Sequence, residues 1–130
     1  MADSAMVPSA QVRSFRQLLV WQHSMDLAVE VHRAAGEMPN EVRFELAREM
    51  RRSSVSVPSN IAEGFARHSR RVYRAHTAIA LGSDAELSTQ IELAGRLHYL
   101  EGPHVARLLE QTATVGRLLQ GLWSSLGPCR

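Results

Sequence analysis

The sequence contains no lysine, and its 15 basic residues are all arginine. Because arginine is used uniformly, an arginine at any one position is no sign of bidentate anion recognition. The formal net charge is only +2 at pH 7. The overall charge therefore does not by itself predict a polyanionic partner.

Cysteine is almost absent, and long apolar runs are absent altogether. The single cysteine, Cys129, has no partner for an internal disulfide, which fits a reducing cytoplasm. No apolar run approaches the roughly 20 residues that a membrane span needs. The first residues carry Asp3 and lack the apolar core of a secretion signal. We expect a cytoplasmic protein with no membrane partner.

The apolar content is sufficient for one folded domain. A chain of 130 residues with 45% hydrophobic residues can bury a core without disulfides or metal. Turn-like stretches divide it into four long segments, near 14–35, 40–66, 69–100 and 103–126. We expect a domain over 14–126, with a disordered tail over 1–13 and a short tail over 127–130.

Helical periodicity runs through the first, third and fourth segments. In the first, the predicted core stripe is Phe15, Leu18, Gln22, Met25, Val29 and His32. In the third, Ser69 is the expected N-cap, and the stripe is Val72, Ile79, Ser83, Leu87, Gln90, Ala94 and Leu97. In the fourth, which has Pro103 in its first turn, the stripe is Val105, Leu108, Thr112, Val115, Leu119, Trp123 and Leu126.

The second segment contains "SSVSVPSNIAEGF", whose alternating serine and valine before Pro58 are also typical of an edge strand. A helix explains more of the sequence, because Leu46, Met50, Val57 and Ile61 fall within about 100° of arc across the proline. We predict one helix from Asn40 to about Ala66, kinked at Pro58. The alternative helical interpretation breaks the chain at Pro58 and restarts with Asn60 as cap.

The helical plot also places apolar residues on the opposite face of the second segment, and a similar second stripe on the first. A bundle covers only one face of each helix, so we expect the other to pack on another subunit. Short connections favour an all-α, antiparallel up-down-up-down four-helix bundle that oligomerises. The predicted interface residues are Phe44, Val55, Pro58, Ala62, Val20, Leu27 and Val31.

Several stretches resemble a known family. "FRQLLVWQHSMDLAVEVH", "MPNEV", "RRSSVSVPSNIAEG" and "ALGSDAEL" are similar to the four helix bundle proteins, or 23S rRNA intervening-sequence proteins, from about Phe15 to Leu126. The central motif is matched from Arg51 to Gly64, although Glu49 and Ser53 replace a usual glutamine and alanine. The resemblance implies a four-helix bundle in a ring-like homopentamer. It also implies a partner class, since some distant relatives contact nucleic acid, but no mechanism.

An arginine-rich stretch, "RHSRRVYR", is the strongest local charge feature. Three of its arginines would lie at the positive end of the third helix, where the helix dipole disfavours them. An external phosphate would stabilise them, so RNA or DNA is one candidate partner. The alternative is a solvated face, or one paired with Glu101 or Glu110 of the fourth helix or another subunit. The candidate nucleic-acid contacts are Arg67, Arg70, Arg71, Arg74 and Arg51.

The remaining polar motif residues favour structure over catalysis. We expect a structural polar network of Arg52, Ser56, Asn60, Glu63, Ser83 and Glu86, in which a buried carboxylate needs an arginine or backbone partner. No catalytic triad, phosphate-binding loop or metal-ligand spacing can be assigned, so no catalytic residue, metal or cofactor is predicted. His32 and His76 are expected to be hydrogen-bonded core or boundary residues.

Together these patterns predict a non-enzymatic, oligomeric helical scaffold. Its expected partners are copies of itself and either nucleic acid or another protein. An enzyme using Glu63 and Glu86 as an acid/base pair is the remote alternative.

Overall fold

Four helices make up most of the protein. A computed structural model describes residues 12–127, except for the side chains of residues 42 and 43. The helices are α1 (Leu19–Glu37), α2 (Arg48–Ala66), α3 (Arg70–Arg96) and α4 (Gly102–Ser125). No strand occurs in this part of the chain, which confirms the all-α prediction. Most of the predicted N-terminal tail and residues 128–130 lie outside it.

Short irregular helices lead into the first two long ones. A 3₁₀ turn at Phe15–Gln17 precedes α1, and Ser14 caps it through a reciprocal pair of hydrogen bonds with Gln17. A 3₁₀ turn at Asn40–Val42 and a π-helical turn at Arg43–Ala47 precede α2. The second segment is thus helical from Asn40, as predicted, but its first two turns are not α-helical.

Helix α2 runs unbroken through Pro58. Ser54, in the stretch that resembled a strand, lies inside the helix and donates its hydroxyl to the Arg51 carbonyl at 2.8 Å. The interpretations that placed a strand at 54–57, or a helix break at Pro58, are therefore wrong. Pro58 is buried, so packing offsets the hydrogen bond that an imino acid removes. The kink itself stays a prediction.

The turns between the last three helices follow local capping rules. Ser69 accepts a hydrogen bond from the Val72 amide and begins α3, as predicted. His68 and His98, which follow α2 and α3, have positive φ angles of 56° and 61°. Glycine is the usual residue at this C-terminal position, because a side chain there is strained.

The helices enclose one core, with contacts between α1 and α2, α2 and α3, α3 and α4, and α4 and α1. The stripe predicted for α4 is correct at its centre, where Leu108, Thr112, Val115 and Leu119 are buried. The long core side chains that are fully covered include Leu18, Leu27, Met38, Met50, Ile61, Leu87, Ile91, Leu108, Leu119 and Leu122.

The face predicted for α1 is wrong. Val20, Leu27 and Val31, assigned to a subunit interface, are fully buried within the single chain and cannot bury more area on a partner. Met25 and Val29, assigned to the core, are exposed instead. The helix has two apolar stripes roughly 150° apart, and the choice between them depends on which neighbours it meets.

The stripe predicted for α3 is rotated by roughly 90° from the buried face. Ile79 and Leu97, predicted in the core, are exposed. The buried face carries Thr77, Ala80, Asp84, Leu87, Ile91 and Ala94. Because several residues of the buried face are small or polar, a search for large apolar residues does not identify this face.

Candidate interaction surfaces

The arginines at the start of α3 bind the end of α4. The Arg70 guanidinium donates to the Ser125 carbonyl at 2.6 Å and to the Gly127 carbonyl at 3.2 Å. Arg74 donates to the Trp123 carbonyl at 3.2 Å, and its guanidinium carbon lies 3.6 Å from the centroid of the Trp123 ring. Two of the predicted phosphate ligands therefore have partners within the chain.

These contacts resolve the electrostatic conflict that the sequence presented. The last carbonyls of a helix have no partners inside it and carry the negative end of its dipole. Arg70 and Arg74 reach those carbonyls on α4, so the positive start of α3 faces the negative end of its neighbour. Glu101 and Glu110, the acidic partners considered from sequence, form no ion pair with either arginine in the described residues.

The other three candidate arginines are less engaged. Arg67 approaches Glu63 at 3.9 Å, at the limit of an ion pair between exposed groups. Arg71 is exposed, and neither it nor the half-buried Arg51 makes a side-chain hydrogen bond or ion pair within residues 12–127. Any anion site here would thus rest mainly on Arg67 and Arg71.

A ladder of polar contacts joins α2 to α3. The Ser56 and Ser83 hydroxyls lie 2.7 Å apart. Asn60 donates to the Ser56 carbonyl and hydroxyl, and its own carbonyl oxygen is 2.9 Å from His76 Nδ1. Because both Asn60 donor contacts fix its amide, His76 Nδ1 must carry the proton in this bond. Glu63 lies 3.8 Å from the other ring nitrogen.

The predicted polar network is only partly assembled. Four of its members, Ser56, Asn60, Ser83 and Glu63, lie along this ladder, which His76 completes. Arg52 and Glu86 are exposed and have no hydrogen bond or ion pair in the described chain. Glu63 is also more than half exposed, so the expectation of a buried carboxylate with an arginine or backbone partner is wrong in its burial.

Gly64, the last residue of the motif, allows close packing of α2 on α3. A Cβ at this position would lie 2.8 Å from His76 Cβ and 3.3 Å from Tyr73 Cα. The Tyr73 ring then packs edge-on against Phe65, with centroids 5.9 Å apart. The motif therefore combines hydrogen bonding with a close helix approach at the same seam.

Asp84 is a notable residue that pattern reasoning missed. It is buried in α3, and its Oδ1 has no hydrogen-bond partner. On α4, a Cβ built at Gly116 would lie 3.0 Å from Oδ2, so the carboxyl fits against a glycine. Burial raises the pKa of Asp84 from 3.8 to about 7. The sequence signal was available, since Asp84 shares a helical face with Leu87 and Ile91.

An apolar groove of about 700 Å³ lies between α1 and α2. Val29 and Val55 face it from opposite sides and are 46% and 47% exposed. Three predicted interface residues, Val55, Pro58 and Ala62, line it, although Pro58 is already buried within the chain. Phe44 lies on the turn before α2 and is 84% exposed. The full lining is Trp21, Met25, Ala28, Val29, His32, Arg33, Val55, Pro58, Ser59 and Ala62.

The described part of the chain contains neither a metal-ligand cluster nor a membrane-spanning helix. No group of three histidine, cysteine, aspartate or glutamate side chains comes together there as a metal site would require. His104 faces Glu37 at 3.4 Å. No helix there is long and apolar enough to cross a membrane.

Comparisons with known proteins agree with the motif resemblance. A family model described as 23S rRNA-intervening sequence protein matches residues 16–121. A solved protein of unknown function from the S23 ribosomal protein family of Bacteroides thetaiotaomicron superposes with a TM-score of 0.77 at 23% identity, covering 82% of this chain and 96% of that one. At that identity the likeness concerns the fold alone, and no curated protein matches. The chain belongs to the 23S rRNA-intervening sequence protein family.

Proposed function

We propose that this protein is a non-enzymatic helical scaffold that associates with copies of itself through the α1–α2 groove. The observation that carries the proposal is the groove's apolar lining, exposed on a chain that has already buried a separate core. Soluble monomers rarely leave such a patch in contact with water unless it binds something.

The energetics favour association over exposure. Covering the half-exposed side chains of Met25, Val29 and Val55 would contribute about 1 kcal/mol each. Trp21 lines the same groove, and aromatic residues are enriched at interfaces. Val55, Pro58 and Ala62 belong to the motif-bearing helix, so the segment that positions α3 also presents the apolar surface.

We further infer an antiparallel up-down-up-down order. The support comes from the hydrogen bonds between α2 and α3. Asn60 contacts His76, whereas Ser56, which is earlier in α2, contacts Ser83, which is later in α3, so these two helices run in opposite directions. A ring, five-fold as the family resemblance implies, is the form of assembly that we propose. A cytoplasmic location remains a prediction from composition.

Sedimentation velocity over the micromolar range tests self-association. We expect wild-type protein to sediment as a species larger than one chain, and Val29→Glu with Val55→Glu to sediment as a single chain, because each charge would have to be buried. Ala106→Glu with Ala113→Glu, on the exposed surface of α4, adds the same two charges and is the matched control, which should behave as wild type. A wild-type protein that remains a single chain at every concentration would refute the proposal.

Nucleic-acid binding is the second candidate, and the observation in its favour is that Arg71 has no partner within the described chain. In an oligomer the Arg67 and Arg71 pair would recur in every subunit, which raises avidity. Because Arg70 and Arg74 already bind carbonyl oxygens at the end of α4, nucleic-acid binding is less well supported than a scaffold that binds only protein.

A filter-binding titration of structured RNA and duplex DNA over a salt series separates these candidates. If the scaffold binds nucleic acid, affinity should fall steeply with salt, and Arg67→Glu with Arg71→Glu should abolish it. These two positions are preferable to Arg70, whose replacement would also uncap α4. Arg107→Glu with Arg117→Glu, both exposed on α4, controls for net charge because it changes the formal charge by the same amount. No binding at low salt would leave the protein-interaction scaffold.

A further inference from the structure

A second unpartnered apolar surface lies on α3. Ile79, Leu93 and Leu97 are 52%, 46% and 47% exposed. With 3.6 residues per turn, they fall within about 60° of arc together with Ala75, Gly82 and Glu86. We call these six residues the α3 stripe. It is about 33 Å long at 1.5 Å per residue.

Residues 12–127 do not cover this stripe. Helix α3 packs on α2 and α4, and it does so through the face that carries Ala80, Leu87 and Ile91. The stripe lies well over a quarter-turn away from that face. Helix α4 differs, because none of the exposed large hydrophobic residues in the described chain belongs to it.

The stripe and the groove are complementary in shape and in charge. The stripe is the ridge of a single helix, whereas the groove is the depression between two, and a helix in an apolar groove is a recurrent mode of recognition. The stripe's one charged member, Glu86, has no partner in the described chain. The groove's side of the contact carries Arg33, whose guanidinium pairs with Glu30 of the same helix at 3.0 Å and, being exposed, keeps further N–H donors for a partner's carboxylate.

We propose that the occupant of the α1–α2 groove is the α3 stripe of a second copy of this chain. The inference rests on the proposed self-association and specifies its geometry. Groove and stripe belong to different helices, so each copy presents both a donor and an acceptor surface. Such a head-to-tail contact generates rings when its rotation closes, whereas groove-to-groove pairing would give a two-fold dimer and leave both stripes exposed.

A mixing experiment tests this geometry. The groove variant carries Val29→Glu and Val55→Glu, and the stripe variant carries Ile79→Glu and Leu93→Glu. Each alone should sediment as a single chain. An equimolar mixture should form a two-chain complex and grow no further, because only the stripe of the first variant and the groove of the second remain intact.

The outcomes distinguish this inference from the proposal beneath it. If the wild-type protein never assembles, both the proposed self-association and the head-to-tail contact are wrong. If the wild type assembles, two results would contradict only the head-to-tail contact: assembly of the stripe variant alone, or a mixture that remains single chains. All four positions are about half exposed, and circular dichroism would verify that each variant is folded.

Cysteine pairing provides a second readout that does not depend on introduced charge. In a Cys129→Ser background, copies with Ile79→Cys are mixed with copies carrying Val29→Cys, and a bifunctional thiol cross-linker of helix-spanning length is added. Covalent heterodimers are expected in this mixture. The matched control replaces Ile79→Cys by Ala113→Cys on α4. Equal cross-linking in the two mixtures would overturn the contact.

Discussion

Helix α2 meets its two neighbours in different ways. Against α3 it forms a closed seam, with the hydrogen bonds of Ser56 and Asn60 and the close approach at Gly64. Against α1 it leaves an open groove lined by Val55, Pro58 and Ala62. The same stretch of sequence therefore supplies polar residues to one side and apolar residues to the other.

The difference shows which contact fixes the arrangement of the helices and which surface remains free to bind a partner. Buried or half-buried polar groups need partners at fixed positions, so the α2–α3 seam sets the alignment of the two helices. Exposed valine and methionine side chains have no such partners and gain from any apolar cover. Arg70 and Arg74 form a similarly closed contact between α3 and α4, because both bind carbonyl oxygens at the end of α4.

The largest effect on the free energy of unfolding should come from Asp84, at the third seam, between α3 and α4. Its pKa is raised from 3.8 to about 7, so the folded chain holds this proton more tightly than the unfolded chain does. Stability should therefore fall as the pH rises from about 4 to about 7, by at most about 4 kcal/mol, and then level off. Urea denaturation across this pH range measures it.

Asp84→Asn provides the control, because an amide does not titrate. The variant should lose most of this decline and exceed the wild type in stability above neutral pH. Parallel pH profiles for the two proteins would contradict the account of a buried, unpartnered carboxyl.

Breaking the closed seam at Gly64 should give the next largest effect. In Gly64→Ala the new methyl would collide with His76 Cβ, and the overpacking should exceed the helix preference of alanine, for a net loss of about 1–2 kcal/mol. Gly121→Ala on α4 meets nothing within 4 Å and should gain up to about 1 kcal/mol. Chemical denaturation compares them, and a stabilised Gly64→Ala would show that the seam is loose.

The arginine cluster allows a comparison between an engaged and a free side chain. Arg74→Ala removes a hydrogen bond to the end of α4 and the stacking on Trp123, and should cost about 1–2 kcal/mol. Arg71→Ala should change the unfolding free energy by less than about 0.5 kcal/mol. Equal effects in thermal melts would mean that the contacts between α3 and α4 contribute nothing.

The smallest effect should come from the open groove. In dilute protein, Val55→Ala should cost less than about 0.5 kcal/mol, because half of the side chain is already in water. Val57→Ala, two residues away and fully buried, should cost about 2 kcal/mol. Denaturation at low and high protein concentration sharpens the test, since only the Val55 effect should grow with assembly.

Much of the fold could be predicted from sequence, because helical phase is a local property. The continuity of α2 across Pro58 followed from the agreement of Met50, Val57 and Ile61, all of which are buried. The stripe of α4 was also correct at Leu108, Val115 and Leu119. On α4 the large apolar side chains mark the core face without competition from a second stripe. Helix α2 has a second apolar face, but its core face keeps one helical phase on both sides of Pro58.

The faces of α1 and α3 could not be predicted in this way. Helix α1 has valines on both sides, and only the positions of its neighbours decide that Val31 is buried and Val29 exposed. On α3 the core face includes Thr77 and Asp84, which a search for apolar residues excludes. Three of the seven predicted interface residues, Val20, Leu27 and Val31, were wrong for this reason.

The contacts of the arginines were harder to predict than the fold, because their acceptors are backbone carbonyl oxygens, which every residue has. Arg70 and Arg74 bind the carbonyl oxygens of Ser125 and Trp123 near the end of α4. The side chains of these two residues give no sign that their carbonyl oxygens accept from an arginine. The polar ladder was partly accessible, since Ser56, Asn60 and Ser83 belong to family motifs. The role of His76 as its link depends on the turn between α2 and α3.

The environment of Trp21 tests the central claim most directly, because this side chain lines the open groove. In a Trp123→Phe background its fluorescence can be followed alone while protein concentration is raised through the assembly range. The account predicts a shift of emission to shorter wavelength and protection from acrylamide quenching as copies associate. Assembly with no change in either signal would contradict it, since the groove would still face water.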